Sequence, residues 1–562
     1  MLLRKEVIIK SKTTKEKISF FSAMMIVFGG AIGAGIFFKA KSVINYSHGS
    51  LILAIFSWII AAVAIITMAL ALIEISSIRN DNLSFVGWNK VFNSRTIYKA
   101  AKNFVAYICI PLTFFFMPIY AIISLQSGIG LLSGGVNTFN VVIHSYNIDW
   151  IIWTLISLVI TSYYIIVPAI FTKLGNIQNI ITTSIKFIPV ILIIIIGFTL
   201  MVSNNIDKDA LSIATNTKYV TNNPIDGISS FENIGAVFGV FLSIAGIFFA
   251  YDGFFVVSGI STEMKHPKKA PMALLIGLII TTVIYLLIAI SLSITGGDLN
   301  GIQPYLNKLL KSEYATNIIL GIINIMLSIG VLGILNGFSL WGPRYIENLL
   351  SKGELPFWKK AIGKLNFDKP WYGVKYILKL TIPIVIIFSI IGVLGYAQIG
   401  QEGQYWYYKD GIKIFIYGSE GMTKLIVFSD LIGNWTALFT FVFIGFSITG
   451  AIKNRIKKKE EIKHKTKYFM PSAIISVAIV FLSSIVIVIA PIIDLFLLIN
   501  TNPSTEIIIS KISLVIVLLI YIGLSFIPTE IENYFIKKRF ITLKEYRKWK
   551  WKLLSENQKH KS

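Results

Sequence analysis

Cysteine, histidine and acid are all scarce in this chain of 562 residues, which has one Cys, five His, and 28 Asp plus Glu against 52 Lys plus Arg. A single Cys109 excludes an intrachain disulfide and any cysteine-built zinc cluster, and its place inside an apolar run is that of a small buried hydrophobe. The histidines, His48, His144, His266, His464 and His560, are scattered, and neither HExxH nor GxSxG occurs. Asp207-Lys208-Asp209 pairs two acids but has no histidine beside it and reads as a solvated charge cluster. Asp430, Asp494 and Glu506 stand alone near the ends of apolar runs. A multispan transferase would need paired acids, metal ligands or a nucleophile next to a base. The chain is therefore expected to be no enzyme, and to use neither a cofactor nor a resident metal.

Charge of either sign is also low, at 14% of residues, while 55% are hydrophobic and the mean hydropathy is +0.73. Those values lie outside the range of soluble domains and identify an integral membrane protein. A helix crossing the ~30 Å hydrocarbon core needs roughly 20 apolar residues, and about twelve such runs are present. The first lies near 19–44, the third near 103–133, the fifth near 177–202, the sixth near 235–260 and the last near 507–529. With twelve spans, Lys and Arg total roughly 41 on the side of the N-terminus and roughly 10 on the other, which makes both ends cytoplasmic. The net charge of +24 is then an orientation signal, with the tail Lys537–Lys561 able to touch anionic lipid. It gives no reason to expect nucleic acid. The Ile-, Lys- and Asn-rich composition hints at an AT-rich bacterial genome and a plasma membrane. The first apolar run is too long for a cleaved signal and reads as a retained span.

Two spans depart from a plain apolar helix. Phe28-Gly-Gly-Ala-Ile-Gly-Ala-Gly-Ile-Phe-Phe38 places four glycines within seven residues in mid-span, each costing roughly 1 kcal/mol against alanine in a helix. Close helix packing through Gly29 and Gly33 would explain two of them. The sixth span, Phe248-Phe-Ala-Tyr-Asp-Gly-Phe-Phe255, puts Asp252 and Gly253 at the matching place in a second half. Broken backbone in hydrocarbon survives only where protein or a water-lined cavity satisfies it. An unwound turn then offers N–H groups to an anion and carbonyls to a cation, which suits a zwitterion. In the fifth span, Lys186 lies roughly ten residues, or about 15 Å, past Asn176-Ile177, too deep to snorkel and therefore facing the bundle interior. The stretch 76–102 mixes Arg79, Lys90, Arg95 and Lys99 with Phe85, Trp88 and Phe92, as an amphipathic segment does that lies at the cytoplasmic interface or folds back under the substrate path. Pro111 and Pro118 would kink the third span. The loop 398–422, with Tyr405-Trp406-Tyr407-Tyr408, is a cap or partner surface.

These motifs carry a resemblance. Gly30-Ala-Ile-Gly-Ala-Gly-Ile-Phe37 resembles the first-span signature of the amino acid, polyamine and organocation (APC) permeases. Phe248–Gly253 followed by Glu263-Met-Lys-His-Pro-Lys-Lys269 is similar to that family's sixth span and its exit, with His266 in place of the usual Asn. Leu335-Asn336-Gly337, Gly342-Pro343-Arg344, Gly353 and Pro356 are similar to the end of its eighth span. The resemblance runs from about Ser19 to about Pro356 and looks closest to the neutral amino acid exchangers.

The resemblance implies an all-α integral membrane protein with about 12 transmembrane helices in a leucine-transporter-like 5+5 inverted repeat. The expected organisation is a basic tail over 1–18, a first five-helix repeat over 19–202, and an outer loop over 203–234. A second repeat follows over 235–450, two additional helices over 451–530, and a basic cytoplasmic tail over 531–562. It implies secondary active transport of amino acids, with N–H groups around Gly33, Ala34 and Gly35 taking the α-carboxylate. Carbonyls of Ala31, Ile32, Phe249 and Ala250 would take the α-amino group, Phe249 would close over the substrate, and Tyr251, Asp252 and Gly253 would complete the turn. Lys186 would brace the first span against the eighth and stand ready to carry a proton. Asp252 either favours a cationic side chain or hydrogen-bonds within its own turn, and Asn336 either lines the pocket or bonds between helices. A polyamine or cationic amino acid permease and a sensor that binds without transporting stay open, as do exchange, proton symport and sodium symport.

Overall fold

The computed structural model describes residues 19–21, 24–25, 35–47, 50–77, 83–134, 139, 141–143, 146–203, 236–254, 265–266, 269–295, 299–395, 406–409, 412–415, 417–458, 460–462, 465–498, 505–539, 545–546 and 548–553. Ala31, Ile32, Gly33, Ala34, the tail 1–18 and all but the first residue of the loop 203–234 lie outside them. In chain order the helices are α1 (Gly35–Tyr46), α2 (Leu51–Ser76), α3 (Ser84–Phe92), α4 (Arg95–Phe104), α5 (Ile110–Ser133), α6 (Asp149–Ile170), α7 (Thr172–Val202) and α8 (Ala236–Ala250). They continue as α9 (Ala270–Ile294), α10 (Leu299–Leu310), α11 (Glu313–Ser351), α12 (Trp358–Ala361), α13 (Trp371–Ile390), α14 (Glu420–Lys457), α15 (Phe469–Leu498) and α16 (Thr505–Arg539). Among the described residues, ten helices are long and apolar enough to cross a membrane. With the first and sixth spans, of which α1 and α8 are the described parts, the runs read from the sequence are accounted for.

Local chemistry sets the ends. Ser50, Ser312 and Ser419 accept from Leu53 N (3.4 Å), Ala315 N (3.2 Å) and Met422 N (3.3 Å), capping α2, α11 and α14. Gly134 closes α5 in the left-handed conformation at φ +84°. Pro111 follows directly on a π-helical turn, Val105–Cys109, that joins α4 to α5. A widened turn absorbs the proline ring and its missing N–H, so the third span is longer than its apolar run and starts at Arg95.

α5 is the buried axis of the bundle, and α11 lies along it. A Cβ on Gly128 would fall 2.9 Å from Ile325 Cγ1, and one on Gly321 2.8 Å from Leu132 Cγ, so neither position can carry a side chain without the helices parting. The bare outer faces belong to α6, α7, α13, α15 and α16, where Val159, Ile180 and Leu519 are exposed. Those faces meet lipid.

Two segments outside the long helices have defined structure. α3 and α4 do not lie open at the interface but pack into the bundle, because Asn89 Nδ2 donates to Phe443 O (2.9 Å) and Asn93 Nδ2 to Phe446 O (2.7 Å) on α14. Within the loop 398–422, Trp406–Lys409 (β3) pairs antiparallel with Ile412–Phe415 (β4). A smaller pair joins Val142–Ile143 (β1) to Tyr146–Asn147 (β2).

Glu347, fully buried near the end of α11, accepts from Asn366 N (3.0 Å), Tyr372 N (3.1 Å) and Gly373 N (3.4 Å). A carboxylate thus serves the positive N-terminus of α13. Glu347→Ala strands those donors, and a loss of about 1–3 kcal/mol is expected. Thermal unfolding in detergent reads it as a lower midpoint, with Glu347→Gln losing less.

Candidate functional site at the two helix breaks

α8 ends in mid-membrane by tightening before it opens. Tyr251 N is shared between Ile247 O (3.2 Å) and Phe248 O (3.1 Å), Asp252 N reaches only Phe249 O (3.2 Å), and Phe254 N reaches Tyr251 O (3.4 Å). Gly253 then takes φ +98°, which a residue with a Cβ adopts only under strain. Asp252 accepts from Gly253 N at 2.9 Å, so its carboxylate is engaged inside its own turn.

Backbone carbonyls freed in hydrocarbon need partners, and α9 supplies them. Tyr285 OH donates to Ala250 O at 2.7 Å. Tyr251 OH donates to Thr282 Oγ1 at 2.9 Å, and the two tyrosine rings meet edge to face at 4.8 Å. Ala250 O keeps its second lone pair, since a carbonyl oxygen accepts two hydrogen bonds.

The first described residue of α1 lies against the end of α8. A Cβ on Gly35 would come within 3.1 Å of Ala250 Cα and 3.3 Å of the Phe249 ring. The C-terminal end of α8 therefore touches α1 at Gly35 inside the bundle. The Phe249 ring also packs on Phe116 at 5.8 Å and Tyr120 at 5.6 Å, and a Cβ on Gly433 would meet it at 3.0 Å.

One turn beyond Gly35, Lys39 is fully buried. Its ammonium stands 4.3 Å above the centre of the Phe249 ring, within cation–π range. It also donates to Tyr120 OH at 2.8 Å and is paired with Asp430 of α14. Tyr120 in turn donates to Asp430 Oδ1 at 2.6 Å, and Asn434 Nδ2 to Oδ2 at 3.2 Å. The cluster joins α1, α5 and α14 over the aromatic lid of the break. Sequence reasoning missed it by leaving Asp430 isolated. The available signal was a lysine in the first apolar run, one helical turn after the glycines.

Lys186 and Asn336 sit elsewhere. α7 begins at Thr172, so Lys186 lies about 21 Å along it. Its Cβ is 3.1 Å from the place of a Cβ on Gly330, and Thr182 Oγ1 is 2.6 Å from that of Gly333. Lys186 thus packs against α11, the eighth span; the part of the first span it would brace lies outside the described residues. Asn336 Nδ2 donates to Gly175 O at 2.8 Å, tying α11 to the start of α7.

A family model described as amino acid permease matches residues 18–531. The chain is 43% identical to an uncharacterised protein of Mycoplasma pneumoniae, over 96% of this chain and 98% of that one. It is 25% identical to the serine/threonine exchanger SteT of Bacillus subtilis, over 66% of this chain and 77% of SteT. Among solved structures, a manganese transporter of Eremococcus coleocola shares the fold at a TM-score of 0.50 and 13% identity, covering 90% of this chain and 93% of that one.

A buried ion pair broken on one side costs more than one removed entirely. Asp430→Ala is expected to lower stability by about 3–5 kcal/mol, whereas Lys39→Met combined with Asp430→Leu recovers most of that loss. Thermal midpoints of the three purified proteins decide it.

Proposed function

The chain belongs to the amino acid permease family, and we propose that it carries amino acids across the membrane by alternating access, with substrate held between α1 and α8. The observation that carries this reading is the contact of Gly35, which closes the glycine-rich stretch of the first span, with Ala250 at the end of α8, inside apolar protein and beneath Phe249. In this reading, N–H groups of Gly33, Ala34 and Gly35 bind the α-carboxylate. Carbonyls of Ala31, Ile32, Phe249 and Ala250 bind the α-amino group. Backbone recognition of the common end group leaves side-chain selection to the surrounding pocket. Residues 19–202 and 235–450 form the two five-helix halves, and both termini lie on the Lys-rich cytoplasmic side.

A neutral amino acid fits better than a polyamine or a cationic one. The Lys39 ammonium already occupies the face of Phe249, and the Asp252 carboxylate is engaged by Gly253 N, so neither invites a second cation. The Bacillus subtilis relative, named a serine/threonine exchanger, supports small neutral substrates and exchange. Lys39, Tyr120 and Asp430 act as the latch that holds α1 and α14 together over the lid, and Lys186 couples the cycle by standing between α7 and α11.

Reconstituted in liposomes, the protein is expected to take up labelled serine or threonine when unlabelled amino acid is trapped inside. Uptake is expected to be independent of sodium. Lys186→Ala should abolish flux while leaving the thermal midpoint near that of the parent. Saturable binding without flux would replace the reading with a sensor, and unchanged flux in Lys186→Ala would remove that residue from coupling.

A further inference from the structure

Beyond α16, residues 545–546 and 548–553 form a short helical stretch laid against the bundle. Its faces differ in kind. Tyr546, Trp549, Lys550 and Leu553 are half-buried, at the spacing of one helical stripe, while Lys548, Trp551 and Lys552 are exposed.

The inner face is closely fitted. Trp549 meets Trp358 edge to face at 6.2 Å, and Lys359 Nζ stands 4.2 Å from the Trp549 ring centre. Lys550 Cε lies 2.6 Å from where a Cβ on Gly353 would be, at a residue whose φ is +62°. Lys550 Nζ is 3.6 Å from Glu354 Oε1. Glu354 is a junction, since Lys102 Nζ of α4 donates to its carbonyl at 2.6 Å. Burial alone would push its carboxyl up, but the ammonium groups of Lys550, Lys102, Lys99 and Lys90 hold it down at about 2. Lys99 is also paired with Glu532 of α16. The inner ends of the third, eighth and twelfth spans are thereby gathered around one carboxylate.

The end of α16 has the same character, with Tyr534 and Phe535 64% and 63% exposed and Lys538 and Arg539 exposed as well. Trp551 is 71% exposed. Aromatic rings interleaved with lysines, a few residues after a membrane-crossing helix, match the chemistry of an anionic headgroup layer in charge and in amphipathicity. The two faces point apart, so both partners can be engaged at once.

We propose that the stretch ending at Leu553 is a two-faced strap. One face clamps the inner ends of the third, eighth and twelfth spans through Glu354 and Trp358, and the other lies on the anionic lipid surface of the membrane the protein spans. Anionic lipid therefore holds the strap in place rather than pulling it off.

Amide hydrogen exchange of the full-length protein in nanodiscs tests this without reference to transport. Peptides covering 545–553 and 353–358 are expected to exchange slowly in discs containing phosphatidylglycerol and faster in discs of phosphatidylcholine alone. Each lysine at an anionic surface favours association by about fivefold, so Lys548→Gln with Trp551→Gln and Lys552→Gln should cut protection about thirtyfold in the anionic discs. Lys550→Gln, which removes the partner of Glu354, should speed exchange in both peptides. Equal exchange in the two lipids, or wild-type protection in the triple variant, would overturn the lipid contact. Unchanged protection in Lys550→Gln would overturn the clamp.

Discussion

A peptide group stranded in hydrocarbon without a partner costs several kcal/mol, and the architecture of this protein follows from where it accepts that exposure. The backbone leaves α8 at Ala250, and the released groups are met by Tyr285, by the tightened hydrogen bonds of the turn, and by Asp252 reaching back to Gly253. Gly35 brings the start of α1 against the same place. The end of α8 sits in an interior lined by Phe116, Tyr120 and Phe249, where its partial charge is weakly screened.

Around that break the protein has used ionic chemistry sparingly and in pairs. Lys39 and Asp430 stand on one side of the lid, and Glu354 with its ring of lysines gathers the inner ends of the helices. Both clusters join helices distant in sequence. A buried pair of this kind contributes little net stability over apolar packing, yet it penalises any arrangement in which the partners part. Such contacts suit a protein that has to switch between a few discrete packings instead of deforming continuously.

Much of the fold was legible because hydrocarbon imposes length and polarity on each span. The apolar runs mark the ten long helices, and Asp252-Gly253 marks the turn at which α8 ends. The site was legible in part for the same reason: glycine and a charge are costly in mid-span, so they stand out. What escaped is what no local pattern encodes. Asp430 meets a lysine 391 positions away; only assembly of α1 against α14 brings them together. The segment 76–102 has the composition of an interfacial helix, yet Asn89 and Asn93 find carbonyls on α14 and draw it inward. Pro111 marked a distortion, but that it would be a π-turn extending the span back to Arg95 depends on how α4 packs against α16.

The claim on which the rest turns is that the meeting of Gly35 and Ala250 is the binding site, and occupancy there can be measured directly. Scintillation proximity binding of labelled serine to the purified protein should saturate, persist in Gly337→Ala, where a Cβ has nothing within 4 Å, and vanish in Gly35→Val, where it would strike Ala250. Saturable binding of equal affinity in Gly35→Val would contradict the account, because no ligand could then be seated between the two breaks.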